Sequence, residues 1–339
     1  MKRLKVGIIG CGNISGVHAD AVRKSQRAEL AAVVDIVEER AKRAGEKYQC
    51  PYFTDYRDIS NIGLDLVHIC TPHYLHHSMA IDMMEAGLDV LVEKPLAVNT
   101  AEAEKMLRTA EKTGRKLGIV YQNRFNENAL AVRRIIDEKR YGRILGIKGV
   151  LTWFRDKAYY QQDQWRGFYK TEGGGVLISQ AIHTLDLLCW FAGDVEAVKG
   201  SIDTRVLEEI IEVEDTAEAV IYFKNGVTGL FYASNCFASN SPVEIDIVFE
   251  KASLKLIGDR FLLKDYGEEI YRQDGKKTEY KSYWGQGHER LIEGFYSDIL
   301  EGREGNIIRA EEGLKTLQVI EGIYSSSRSG EKYFLAELH

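Results

Sequence analysis

The chain has 339 residues, a formal net charge of −6 from 45 basic and 51 acidic side chains, and a hydrophobic content of 45%. That is chain enough for two domains with a sizeable core. The charges are interspersed and no basic stripe forms, which excludes nucleic acid or an anionic membrane as an expected main partner.

Met1-Lys2-Arg3-Leu4-Lys5 has the basic start of a signal peptide, but Gly7, Gly10 and Gly12 break the apolar run that follows. That run reads as a first strand. No segment approaches the roughly 18 apolar residues of a membrane span, so a cytoplasmic protein is expected. The five cysteines, Cys11, Cys50, Cys70, Cys189 and Cys236, are scattered and form no C-x-x-C pair. They predict a reducing compartment, with neither a disulfide frame nor a thiolate zinc site.

Residues 4–9, 30–34, 66–70, 88–92 and 117–121 are short and apolar, the pattern of buried parallel strands. Helix-like stretches separate them. Asn99-Thr100 caps one that runs to Gly114, with Glu102 and Glu104 in an acidic first turn. Alternation of this kind predicts βαβ units in an α/β doubly wound parallel sheet, a Rossmann domain over residues 1–121. Residues 122–339 read differently. A helix near 128–139 precedes a strand at 144–154, an aromatic loop and a helix at 175–191. Alternating strands then run from 195 to about 272, with a hairpin signal at Lys224-Asn225-Gly226. Helices near 287–300 and 311–326 close the chain. This part predicts an α+β domain with a large, mainly antiparallel open sheet.

Gly10-Cys11-Gly12-Asn13-Ile14-Ser15 follows the first strand and opens a helix. Gly10 permits the tight turn and Gly12 lets backbone approach a pyrophosphate. The amides around Asn13 and Ile14 then face the anion at the helix start. The third fingerprint position is Ser15, with Gly16 just after. Asp35 ends the second strand, where an acid accepts the adenosine ribose hydroxyls and repels a 2′-phosphate. NAD is therefore expected over NADP, with Arg40 and Arg43 nearby as the feature that would tolerate NADP. Thr71-Pro72 ends another strand, followed by His73, His76 and His77. No acid or thiolate there completes a ligand set, so no metal is expected, and Thr71 and His76 are assigned to the cofactor crevice. In Glu93-Lys94-Pro95, proline ends a strand with Lys94 at the sheet's carboxyl rim, where ligands of open parallel sheets bind.

In the second half, Gly173-Gly174-Gly175 leads into a stretch where Ser179, His183 and Asp186 stand at i, i+4 and i+7, one face of a single helix. His183 is the natural general base, and Asp186 could orient its ring. The preceding loop, with Tyr159, Tyr160, Trp165 and Arg166, mixes aromatic plates with hydrogen-bonding groups and suits a polyhydroxylated ligand.

Taken together, Gly10-x-Gly12, Thr71-Pro72, Glu93-Lys94-Pro95, Gln122-Asn123-Arg124-Phe125, Trp165-Arg166-Gly167 and the segment 173–187 resemble one family in order along nearly the whole chain. It is the glucose-fructose oxidoreductase / inositol dehydrogenase / rhizopine-catabolism family of NAD(P)-dependent oxidoreductases. The resemblance implies a homodimer or homotetramer, built through the open sheet, that oxidises or reduces a hydroxyl-bearing carbon of a sugar, glycoside, nucleotide sugar or cyclitol. It implies that Lys94 contacts nicotinamide ribose and reacting hydroxyl, and that His183 is the acid/base. It also places Glu93 and Asn123 with the cofactor, and Arg124, Tyr160, Trp165, Arg166, Ser179 and Asp186 with the substrate. Many members carry aspartate where this chain has Ser179, which weakens an inositol-specific reading. Two rival expectations stand beside the dehydrogenase: a non-catalytic NAD or sugar sensor of the same fold, and a reductase of a non-sugar aldehyde or imine.

Overall fold

Short apolar strands with helices between them dictate where this chain buries its backbone. The structure, a computed structural model, describes residues 3–258, 260–265, 268–273, 287–303, 305 and 307–337. It divides into two units, Met1–Gln122 with Gln286–Leu314 and Asn123–Gly285 with Lys315–His339.

In the first unit β1 (Leu4–Ile9), α1 (Ser15–Lys24), β2 (Ala28–Val34), α2 (Glu38–Tyr48), β3 (Tyr52–Phe53), β4 (Leu66–Ile69), α3 (His73–Glu85), β5 (Asp89–Val92), α4 (Thr100–Thr113) and β6 (Leu117–Ile119) follow in turn. The six strands pair in the order β3-β2-β1-β4-β5-β6, all parallel. β4 and β5 are buried along their whole length, as strands covered on both faces must be. Strand order reverses between β1 and β4, and the carboxyl ends there form the crevice where such sheets bind ligands. α4 is capped as its sequence requires: the Asn99 side chain accepts from the Glu102 N–H, and Gly114 ends the helix with φ 65°.

The second unit holds α5 (Glu127–Asp137), β7 (Ile144–Thr152), α6 (Lys157–Gln161), α7 (Tyr169–Glu172), α8 (Val176–Ser179), α9 (Ile182–Ala192), β8 (Val195–Asp203), β9 (Thr216–Phe223), β10 (Thr228–Ser234), β11 (Glu244–Phe249), β12 (Ala252–Ile257), β13 (Arg260–Asp265) and β14 (Glu268–Gln273). After α10 (Gly287–Glu301) in the first unit, α11 (Ala310–Ser329) and β15 (Tyr333–Phe334) end the chain. The nine-stranded sheet runs β14-β13-β12-β11-β7-β10-β9-β8-β15. It is antiparallel except where β7 and β10 lie side by side in parallel. The hairpin at Gly226, φ 85°, joins β9 to β10. α9 packs on β7, where Gly149 leaves room for Leu188 and Thr184. No single helix among the described residues is long and apolar enough to cross a membrane.

Two expectations are corrected here. The division at 121/122 assigned everything after it to one domain, whereas Gln286–Leu314 belongs with the first unit. Its α10 packs on α1, and Lys24, Ser25 and Arg27 bond to Glu289 and Glu293. Phe295 lies against Gly118, and the Ile119 N–H donates to the Ile308 carbonyl. The continuous helix over 175–191 is also broken, into α8 and α9, with Gln180 and Ala181 between them. Ser179 therefore does not share a helix with His183 and Asp186. The break is imposed by packing: buried Glu214 accepts the N–H groups of Gly175 and Leu177, while the Gln180 side chain bonds to Tyr159 and Asn235.

Candidate active site

In the first unit the glycine turn between β1 and α1 is tied down by one carboxylate. Asp35 accepts the Cys11 N–H at 2.9 Å on one oxygen and the Val37 N–H at 2.9 Å on the other. Gly10 sits at φ +95°, and a Cβ there would lie 2.7 Å from the Cys70 carbonyl oxygen, so only glycine fits. A Cβ on Gly12 would meet nothing within 4 Å, so open space lies over the turn. Ile14, the residue before α1, gives the helix start no side-chain cap. At the end of β4 the Thr71 hydroxyl is buried with no hydrogen-bond partner among the described residues. An open cradle, an uncapped helix start and an orphaned hydroxyl, with a carboxylate alongside, fit a dinucleotide. Ile36, next to Asp35, is 89% exposed, an apolar surface at the same strand end that sequence reasoning passed over.

His76 and Glu93 depart from expectation. His76 is fully buried, with Nδ1 2.7 Å from the Pro95 carbonyl and Nε2 2.9 Å from the Thr71 carbonyl. It bridges the main chain of the β4 and β5 exits. Burial pushes its pKa down, against the pull of those carbonyls. The Glu93 carboxylate also points inward, 2.9 Å from His18 Nε2. Lys94 is partly exposed; its N–H donates to Glu93 Oε2 at 3.2 Å, and its peptide bond to Pro95 is cis. Among the described residues, the histidines and acids close enough to share an ion are His18, Glu93 and His288, and the run His73, His76, His77 is not among them.

In the second unit His183 lies in the first turn of α9, partly exposed. Other polar side chains of this unit are gathered into two networks. Arg124 grips Asp186 by three hydrogen bonds of 2.6–3.2 Å and lies over the Trp190 ring. Asp186 is wholly buried and Arg124 nearly so, and in the structure these two residues, expected at the substrate, neutralise each other inside the unit. In the second network, Arg166 stacks on Trp165 and Tyr159 and bonds to the Tyr159 hydroxyl at 2.8 Å and to Asp163 at 3.1 Å. Gln180 donates to that same hydroxyl, and Asn235 donates to both Gln180 and Tyr160. The Tyr160 ring is buried with Leu207, Ile211 and Val213, so it supports the loop from within, and burial pushes its phenol pKa up. Ser179 is buried and gives its hydroxyl to Glu172 at 2.5 Å, while Glu172 also accepts the Gly167 N–H. Glu172, Gln180 and Asn235 were not anticipated. The position of Glu172 directly before Gly173-Gly174-Gly175 was the available clue, whereas Asn235 has no local signal.

A doubly wound parallel sheet with this cradle, carrying a lysine at the exit of β5, defines a dinucleotide-binding oxidoreductase. Residues 4–121 match the oxidoreductase family with an NAD-binding Rossmann fold, and residues 129–255 match the GFO/IDH/MocA C-terminal domain. The chain belongs to the GFO/IDH/MocA family of NAD-binding oxidoreductases, as its motifs led us to expect. It is 27% identical to D-glucoside 3-dehydrogenase of Escherichia coli (strain K12), with 97% of each chain covered. It is also 27% identical to D-apiose dehydrogenase of Paraburkholderia graminis, over 100% of this chain and 91% of that one. Among solved structures, the WlbA dehydrogenase from Bordetella pertussis in complex with NADH and UDP-GlcNAcA superposes with a TM-score of 0.85 at 28% identity. That match covers 99% of this chain and 100% of the other.

Proposed function

We propose that the protein is an NAD-dependent dehydrogenase acting on a secondary alcohol of a carbohydrate-like substrate. The observation that carries this reading is the Gly10–Gly12 cradle, locked by Asp35, in the same sheet whose β5 exit presents Lys94. Gly10, Gly12, Asn13 and Ile14 hold the pyrophosphate and Asp35 the adenosine ribose, with Ile36 against the adenine and Thr71 giving its hydroxyl to the cofactor. When bound, NAD supplies the hydride acceptor, which no side chain here can replace. Lys94 stabilises the oxygen of the reacting carbon as its charge develops, and His183 takes the hydroxyl proton. The stacked Tyr159, Trp165 and Arg166 present aromatic planes and donors of the kind that bind sugar rings, and relatives acting on glucosides and apiose support that class. The sheet face bearing Leu230 and Val248, each about half exposed, suits a second copy of the chain.

The test is absorbance at about 340 nm, the reduced-nicotinamide band, with near-stoichiometric enzyme, NAD and a pool of sugars, glycosides, nucleotide sugars and inositols. A rise that disappears in Lys94→Ala and in His183→Ala, with NAD still bound, is the expected result. Full activity in either variant would remove that residue from the reaction. NAD binding with no rise across the pool would favour a sensor.

A further inference from the structure

Just past β7 the chain carries an arginine whose most specific hydrogen-bonding edge is unused. Residues 153–155 run alongside 234–237: the Trp153 N–H donates to the Ser234 carbonyl, the Arg155 N–H to the Asn235 carbonyl, and the Phe237 N–H to the Trp153 carbonyl. Asn235 is the residue whose side chain donates to Gln180 and Tyr160, so Arg155 is tied by its backbone to the network around Tyr159. Its guanidinium returns to that network. The guanidinium carbon lies 5.0 Å from the centre of the Trp153 ring and 4.9 Å from that of Tyr159. Such stacking holds a planar cation by its faces and leaves its edges to donate.

One edge is occupied, since Nη1 donates to the Phe154 carbonyl at 2.6 Å and to Asn240 Oδ1 at 3.0 Å. The other edge, Nε with Nη2, has no hydrogen-bond partner among the described residues, and Nε is buried. A buried N–H without an acceptor is costly. The same edge of Arg124 is closed by both oxygens of Asp186. No carboxylate does this for Arg155. Asp156, next in sequence, accepts the Tyr159 N–H at the start of α6, and Asp163 and Glu172 face Arg166. Arg166 also lies 4.9 Å from the centre of the Tyr159 ring, so two cations share one tyrosine and only one of them has acids beside it.

We infer that Arg155 is a specificity-determining residue whose Nε–Nη2 edge takes two oxygens of an oxyanion on the substrate, a carboxylate or a phosphate. This rests on the carbohydrate-dehydrogenase reading and narrows its substrate to an acidic sugar. The fork of a guanidinium matches two oxygens of one oxyanion, whereas a sugar hydroxyl offers it a single acceptor. The location agrees. The Tyr159 hydroxyl takes a hydrogen bond from Gln180, in the break directly before α9, and His183 stands in the first turn of that helix.

The test is calorimetric titration of the NADH-loaded full chain with glucose, glucuronate and glucose 6-phosphate, one neutral sugar and two acidic ones on the same frame. The parent should bind at least one acidic sugar about tenfold or more tighter than glucose, and the one preferred identifies the oxyanion as carboxylate or phosphate. In Arg155→Gln that preference should be lost. Arg155→Lys, which keeps the charge without the fork, should retain only part of it. A merely structural arginine would weaken acidic and neutral sugars together and leave their ratio alone. No preference for either acidic sugar in the parent, or a preference unchanged in folded Arg155→Gln, would overturn the proposal. If Arg155→Gln does not fold, an undiminished preference in Arg155→Lys would do so. A shift of oligomeric mass in Arg155→Gln with the preference intact would also overturn it, giving the edge to a carboxylate of a second copy. Binding needs no turnover, so the two readings fail separately. A chain that takes NADH and oxidises neutral sugars alone would lose this inference and keep the dehydrogenase reading, whereas one that binds no NADH would lose that reading itself.

Discussion

Arg124 and Asp186 form a buried ion pair in the second unit, from the helical turn before α5 to the middle of α9. The guanidinium meets both carboxylate oxygens, the geometry in which such a pair offsets its own desolvation. Arg124→Ala or Asp186→Ala leaves the other charge buried alone and should destabilise by about 3–5 kcal/mol. The double variant Arg124→Met/Asp186→Leu should recover most of that loss. Urea unfolding of the four proteins measures both. Equal destabilisation in the double variant would mean that the pair has a role beyond charge balance.

The two glycines of the nucleotide turn should respond in opposite ways. Gly10→Ala combines a positive φ with a Cβ against the Cys70 carbonyl and should cost more than about 1 kcal/mol of stability. Gly12→Ala meets nothing and should fold within about 0.5 kcal/mol of the parent. Its methyl group would instead occupy the space assigned to the pyrophosphate, and NADH affinity should drop about tenfold or more. Thermal melts and fluorescence titration separate the two effects. A Gly12→Ala protein with unchanged NADH affinity would mean the cofactor lies elsewhere.

Asp35 has two tasks, holding the turn and receiving the ribose. Asp35→Asn keeps the shape but not the charge, and NADH affinity should fall about tenfold to a hundredfold while NADPH loses less or gains. Parallel titrations with the two cofactors give the ratio. An unchanged ratio would remove Asp35 from cofactor choice.

Glu214 makes stability depend on pH. Burial raises its carboxyl to about 7, against the opposing pull of the Leu177 and Gly175 N–H groups and the Tyr324 hydroxyl. Between the ordinary glutamate value and about 7 the native state keeps a proton that the unfolded chain has released. This contribution is therefore fully present below the ordinary value, declines as pH rises toward 7, and is lost above it. The decline should reach about 3 kcal/mol. Melting temperatures across pH should show it in the parent and not in Glu214→Gln. Parallel profiles would mean that Glu214 does not titrate in this window.

Much of the first unit was legible because its signals are local. Apolar runs bounded by glycine and proline mark β1, β4 and β5, and Asn99 and Gly114 mark the ends of α4. Gly10, Gly12 and Asp35 fall where strand ends put them. The break between α8 and α9 was not legible, because no proline or glycine marks it. It arises from Glu214 and Asn235, distant residues that take up the polar groups of the segment. The partners of the candidate ligand contacts were hidden for a related reason. Residue type made Asp186, Arg124, His76 and Glu93 attractive, but only the fold reveals that each is turned inward on a partner. The parallel pairing of β7 with β10 likewise depends on strands far apart in sequence.

The return of α10 to the first unit bears on how the protein is made. A ribosome releases β1 to β6 long before α10, so the nascent sheet waits for the segment that covers α1 and Gly118 and brings His288 to Glu93. Folding of the nucleotide-binding half is thus coupled to synthesis of nearly the whole chain, and its last contacts span most of the sequence. A chain ending at Gln122 would hold every glycine of the cradle, yet leave Glu93 without the histidine that α10 delivers.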